Sequence, residues 1–136
     1  MDKKPRPNQT AAGQRRARVL IIEDDTFLAG MYVTKLTLEN FDVQLASDGL
    51  QGLKLIRETK PDIILLDILL PKLSGFDILK AIKRNPQTKS VPVILLTNLG
   101  EKRDVVKGLD LGAVDYLIKA HFTPGEIIEK IKSIIE

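Results

Sequence analysis

The 136-residue chain has no cysteine, a single histidine, and aromatic side chains at only 4% of its positions. The missing cysteines exclude disulfides, thiolate metal centres and a cysteine nucleophile. One histidine, His121, cannot build a multi-histidine metal site. No uninterrupted apolar run approaches the roughly 18 residues of a membrane span, and the basic N-terminus lacks the apolar core of a signal peptide. A soluble, cytoplasmic protein is expected, with no membrane partner. With 43% hydrophobic and 29% charged residues, the length suits one domain able to bury its own core.

The formal charge of +3 is unevenly spread. Residues 1–17 hold Lys3, Lys4, Arg6, Arg15 and Arg16 against Asp2, a net of 5 − 1 = +4, which leaves 16 − 17 = −1 for residues 18–136. The first 17 residues, with two prolines and no apolar periodicity, read as a disordered, solvated leader. Without aromatic interleaving or a patterned basic helix, direct nucleic-acid binding is not expected.

From Arg18 onward short apolar runs alternate with amphipathic stretches. The runs are Val19-Leu20-Ile21-Ile22, Val43-Gln44-Leu45-Ala46, Ile63-Ile64-Leu65-Leu66, Val91 to Leu96, and Tyr116-Leu117-Ile118. The first, third and fourth are almost continuously apolar, as strands covered on both faces should be. Between them the spacing is helical: Leu50, Leu53 and Ile56; Phe76, Leu79 and Ile82; then Ile127, Ile131 and Ile134. Asp25 or Thr26, Asp48 and Thr123 are placed to cap helices, Thr123 with Pro124 and Glu126 behind it. Lys60-Pro61 and Asn85-Pro86 close the second and third helices. Five strands and five helices in strict alternation predict an α/β, doubly wound, flavodoxin-like parallel sheet of order 2-1-3-4-5.

Ligands of such sheets bind at the carboxyl ends of the strands, where the order reverses. The first strand runs into Glu23-Asp24-Asp25, the third into Asp67, the fourth into Thr97 and the fifth into Lys119. The topology thus gathers three carboxylates, a hydroxyl and an ammonium at one edge. Carboxylates about 4 Å apart repel by roughly 4 kcal/mol at an effective dielectric of 20, so a divalent cation between them is expected. The oxygen-only donor set suits Mg²⁺, or Mn²⁺ in its place. An aspartate there can itself attack a phosphoryl group, giving an acyl phosphate.

These residues make the chain resemble the receiver domain of bacterial two-component response regulators. The resemblance covers residues 18–136 and is carried by Val19 to Asp25, Pro61 to Asp67, Leu70-Pro71-Lys72-Leu73-Ser74-Gly75, Val91 to Thr97, Gly112-Ala113-Val114-Asp115-Tyr116, and Lys119. It implies that Asp67 is the phosphoacceptor. Glu23 and Asp24, with Asp67 and the backbone carbonyl of Leu69, would hold Mg²⁺. Thr97 and Lys119 would sense the phosphoryl group, and Tyr116 would be the switch aromatic that turns inward. The donor would be a histidine kinase or phosphotransfer protein. Output would pass through altered contacts of the fourth helix, fifth strand and fifth helix with an unknown downstream protein, with pairing of two copies on activation as one form. Such a protein is a signalling switch, not an enzyme beyond its own phosphoryl transfer and dephosphorylation.

Two positions depart from the family pattern. Ala120 follows Lys119 where a cis proline is usual, so either a costly non-proline cis bond forms or the loop takes another course. Asn98 follows Thr97 where a small residue is usual, and with Ala120 it is a candidate for tuning the dephosphorylation rate. A nucleotide- or flavin-binding protein would need a glycine-rich first turn, not Glu23-Asp24-Asp25-Thr26. A phosphatase would need acid–base groups beside Asp67, and Ile68-Leu69-Leu70 offers none. A phosphorylation-independent interaction module is the alternative that Ala120 leaves standing.

Overall fold

The structure is a computed structural model and describes residues 15–136. Its strands are β1 (Arg18–Ile22), β2 (Asp42–Ala46), β3 (Ile63–Leu66), β4 (Val93–Thr97) and β5 (Asp115–Ile118). The helices are α1 (Thr26–Leu38), α2 (Gly49–Thr59), α3 (Gly75–Arg84), α4 (Lys102–Asp110) and α5 (Pro124–Ile135). All strands pair in parallel, in the order β2-β1-β3-β4-β5.

The period of two along each central strand divides the core. Val19, Ile21, Ile63, Leu65, Ile94 and Leu96 face α1 and α5 and pack with Tyr32, Leu36, Ile127 and Ile131. Leu20, Ile22, Ile64, Leu66, Val93 and Leu95 face the other layer, with Ile56, Ile78, Leu79 and Ile82. Two readings of the apolar pattern shift. β4 begins at Val93, because Pro92 has no N–H to give a ladder. Leu50 opens α2 from an exposed position, leaving Ile56 as the buried residue of its triplet.

The capping residues act as their types predict. Asp25, Asp48 and Ser74 each accept an N–H from the first turn of α1, α2 and α3. Thr123 and Glu126 form a reciprocal capping box at α5, with Pro124 in the first turn. Lys60, at φ 49°, ends α2 in the left-handed region before Pro61.

Residues 1–14 of the expected leader lie outside the described residues. Of the remainder, Ala17 is fully buried and Arg15 forms a bidentate pair with Asp62 at 2.7 and 2.8 Å. The Arg18 amide donates to the same carboxylate at 2.7 Å. Burial alone would push Asp62 upward; the hydrogen bond from Arg15, the Arg18 amide and both guanidinium charges outweigh it and hold the carboxyl below its ordinary range. A depressed carboxyl stabilises the fold above its unfolded pKa and ceases to do so as pH falls through the folded one. Asp62→Asn is therefore expected to cost about 1–2 kcal/mol at neutral pH, and the difference from wild type in urea titrations should shrink as acid protonates the depressed carboxyl.

Candidate functional site

At the carboxyl edge, β1 delivers Glu23 and Asp24 beside Asp67 from β3, because β1 and β3 are neighbours. Carboxylate oxygens from these three residues lie within 4.8 Å of one another. Glu23 and Asp67 are only 3% and 5% exposed, whereas Asp24 faces solvent. Lys119 crosses from the far side of the sheet and places its Nζ 2.7 Å from Asp67 Oδ2 and 2.7 Å from Glu23 Oε1. Backbone amides complete the partners: Asp25 N–H donates to Glu23 Oε2 at 3.1 Å, and Leu69 N–H to Asp67 Oδ1 at 3.2 Å.

Burial pushes the Glu23 carboxyl up to about 7, and the Asp67 charge adds to this against the pull of Lys119 and the Asp25 amide. Burial alone would lower Lys119, but its hydrogen bonds to Asp67 and Glu23, and their charges, hold it above the ordinary lysine range. The site is thus a carboxylate cluster held together by one ammonium.

Of the two courses open to the Lys119-Ala120 loop, the one without a cis bond is taken. Among the described residues there is no cis peptide, and Lys119–His121 form a single 3₁₀ turn after β5. By this course the lysine still reaches both carboxylates. Ala120 and His121 point to solvent from this turn, and Asn98 is exposed just beyond β4. Thr97 is fully buried at the end of β4, its hydroxyl accepting from Leu99 N–H at 3.3 Å. Tyr116 is half-buried; its hydroxyl donates to the carbonyl of Leu99, in the loop leading to α4. Its ring lies against Gly108, where a Cβ would come within 3.0 Å of it.

Two further residues, given no site role by the sequence, shape the site. Tyr32, from α1, is buried beneath it, and burial followed by the Glu23 charge raises its hydroxyl to about 12. Gly75 lets α3 start against the β3 exit: an added Cβ would strike the Asp67 carbonyl and fall 2.6 Å from Ile68 Cα. Those neighbours are backbone and cannot rotate away. Gly75→Ala is expected to destabilise by about 1–3 kcal/mol, read from urea midpoints, and to displace the Asp67 amide signal in NMR spectra.

An open doubly wound sheet with a buried aspartate, an acidic pair and a lysine at its switch point defines a class of phosphoryl- and cation-binding α/β domains. The family model described as response regulator receiver domain matches residues 19–132, and the chain belongs to that family. It is 37% identical over 118 residues to the DNA-binding dual master transcriptional regulator RpaA of Synechocystis sp., covering 87% of this chain and 48% of that protein. The chain thus spans about half the length of the curated relatives it matches. Among solved structures it is similar to a putative response regulator from Chloroflexus aurantiacus, with a TM-score of 0.80 and 33% identity over 88% of this chain and 97% of that one. It also resembles the Mn(2+)-bound form of response regulator Rcp1, with a TM-score of 0.78 and 27% identity over 88% and 95% of the two chains. The receiver is a phosphorylatable signalling switch with an acidic group able to hold a metal ion, and no helix among the described residues is long and apolar enough to cross a membrane.

Proposed function

We propose that Asp67 accepts the phosphoryl group from a histidine kinase or phosphotransfer protein, with Mg²⁺ held by Glu23, Asp24, Asp67 and the Leu69 carbonyl. The observation that carries this reading is the buried Asp67 carboxylate between an acidic pair and the Lys119 ammonium. A set of oxygen donors with one solvent-facing carboxylate fits a hard cation that keeps part of its water shell. When bound, that cation supplies charge neutralisation for the incoming phosphoryl oxygens.

The chain's own residues do the rest by position. An Asp67 carboxylate oxygen forms the new bond to phosphorus, while the donor's bond to phosphorus breaks and its electron pair leaves with the donor atom. Leu69 N–H holds the other Asp67 oxygen and so aims the attacking one. Lys119 then exchanges a carboxylate oxygen for a phosphoryl oxygen, and the Thr97 hydroxyl, which accepts from Leu99 N–H, has its own proton to donate to another as it moves toward the phosphoryl group. Withdrawal of Thr97 loosens the loop that Tyr116 also holds through the Leu99 carbonyl. That loop leads directly into α4, whose Val106 and Leu109, with Val114, offer exposed apolar surface to a downstream protein or a second copy. Asn98 and Ala120, exposed at the rim, are the positions that would set water access and hence phosphoryl lifetime.

The test is intact mass after incubation with a small acyl phosphate and Mg²⁺. One phosphoryl adduct is expected, absent without Mg²⁺ and absent in Asp67→Ala. A folded protein that gains no adduct with any donor or divalent metal would instead support a phosphorylation-independent interaction module.

A further inference from the structure

A cavity lies at the opposite pole of the sheet from the acidic site, at the amino ends of the strands. It has a volume of about 460 Å³ and is lined by Ile56, Arg57, Lys60, Pro61, Asn85, Gln87, Thr88 and Val91. Pro61 precedes β3 and Asp67 follows it, so some six residues of extended chain, about 20 Å, separate this cavity from the acidic site.

The lining is chemically one-sided. Ile56 and Pro61 are buried and Val91 is half-buried, giving an apolar floor. Arg57 and Lys60 are exposed at the rim, and among the described residues neither side chain makes an ion pair or hydrogen bond. Asn85 Oδ1 accepts from the Gln87 amide at 2.9 Å, which leaves the Asn85 NH₂ as its uncommitted end. The Thr88 hydroxyl is spent on the Ile82 carbonyl at 2.7 Å. No carboxylate lines the cavity. Of the two acids adjacent in sequence to lining residues, Glu58 is exposed and outside the lining, and Asp62 is neutralised by Arg15 and the Arg18 amide.

Cations in the last turn of a helix usually serve its unpaired carbonyls. Here three carbonyls at this end of α2 have other partners. Leu55 O accepts from the Thr59 hydroxyl, Ile56 O from Lys60 N–H, and Thr59 O from the Arg18 guanidinium. The side chains of Arg57 and Lys60 are therefore left without a capping role, beside an apolar floor. Size and lining match the general pattern of small-ligand pockets: apolar walls with a few convergent polar groups.

We infer that this basal cavity binds a small organic anion, its carboxylate or phosphate held by Arg57 and Lys60 and its ring or aliphatic body resting on Ile56, Pro61 and Val91. The two anionic heads share the same recognition by charge-assisted donors, and the body supplies what a bare anion lacks.

The experiment is a titration of the full chain, ¹⁵N-labelled and free of Mg²⁺, with phenyl phosphate, benzoate and inorganic phosphate in separate arms. At least one of the two ring-bearing probes should give saturating shifts confined to residues 56–61 and 85–91. Inorganic phosphate should bind about tenfold more weakly, for want of the apolar contact. The double variant Arg57→Gln with Lys60→Gln changes only exposed side chains, so its spectrum should stay dispersed while its affinity falls at least about tenfold. Equal response to inorganic phosphate, unchanged affinity in the double variant, shifts centred on residues 23–25 and 67, or no saturation by either ring-bearing probe would each overturn the inference.

Discussion

Lys119→Met is expected to weaken the fold in the absence of divalent cations and to tighten its grip on Mg²⁺. The lysine is the one cation inside the acidic edge, 2.7 Å from an oxygen of Glu23 and of Asp67. Without it, carboxylates already within 4.8 Å of one another face each other unscreened. Breaking a buried ion pair by removing one partner costs about 3–5 kcal/mol. Glu23 limits the loss: its carboxyl already stands near 7 through burial and the Asp67 charge, and it takes up a proton when the ammonium is gone. A loss of about 2 kcal/mol in chelator is therefore expected in urea unfolding. Mg²⁺ affinity, read by calorimetry, should rise about tenfold or more because a competing positive charge has left. Added Mg²⁺ should then restore most of the lost stability by mass action. Unchanged stability in chelator, or weaker Mg²⁺ binding, would show that Lys119 does not hold the carboxylates together. The methionine side chain keeps much of the apolar stem, so the comparison isolates the charge.

Much of this arrangement was legible in the sequence because topology converts strand ends into a place. The runs at Val19, Ile63 and Val93 are continuously apolar since helices cover both sides of those strands, and such runs are hard to misread. Once the order 2-1-3-4-5 follows, Glu23, Asp24, Asp67, Thr97 and Lys119 must share an edge, as they do. The edge strand β2 was less plain, since only Ala46 of Asp42–Ala46 is buried. On α1, which is apolar on every side, periodicity could not separate the buried Tyr32 and Leu36 from Phe27 and Leu38, both 79% exposed.

What could not be read depends on loop paths and on pairs far apart in the chain. Lys119 and Asp67 are 52 residues apart, and their contact hangs on a 3₁₀ turn at Lys119–His121 that no local signal announces. The bond from the Tyr116 hydroxyl to the Leu99 carbonyl depends on Gly108 leaving room for the ring. Arg15 reads as leader by composition, yet Asp62, 47 residues away, draws it onto the domain. Composition describes a segment's own tendency and is silent about a partner elsewhere.

The acidic edge also has an asymmetry that separates its members by experiment. Glu23 and Asp67 are buried and already bound to Lys119, whereas Asp24 is solvent-exposed. Asp24 is thus the carboxylate able to meet a hydrated cation first, at little cost in desolvation. Asp24→Asn should lower Mg²⁺ affinity about a hundredfold, close to 2.7 kcal/mol, because an ionised ligand is exchanged for a neutral one. Adduct formation on Asp67 should fall in parallel at sub-saturating Mg²⁺ and recover as the metal concentration is raised. Stability in chelator should hold or increase slightly, since the substitution removes one of three mutually repelling charges. This is opposite in sign to Lys119→Met on both readouts, so the pair distinguishes a metal-binding carboxylate from a structural one. An Asp24→Asn protein that binds Mg²⁺ as wild type does, or that loses stability in chelator, would remove Asp24 from the metal site.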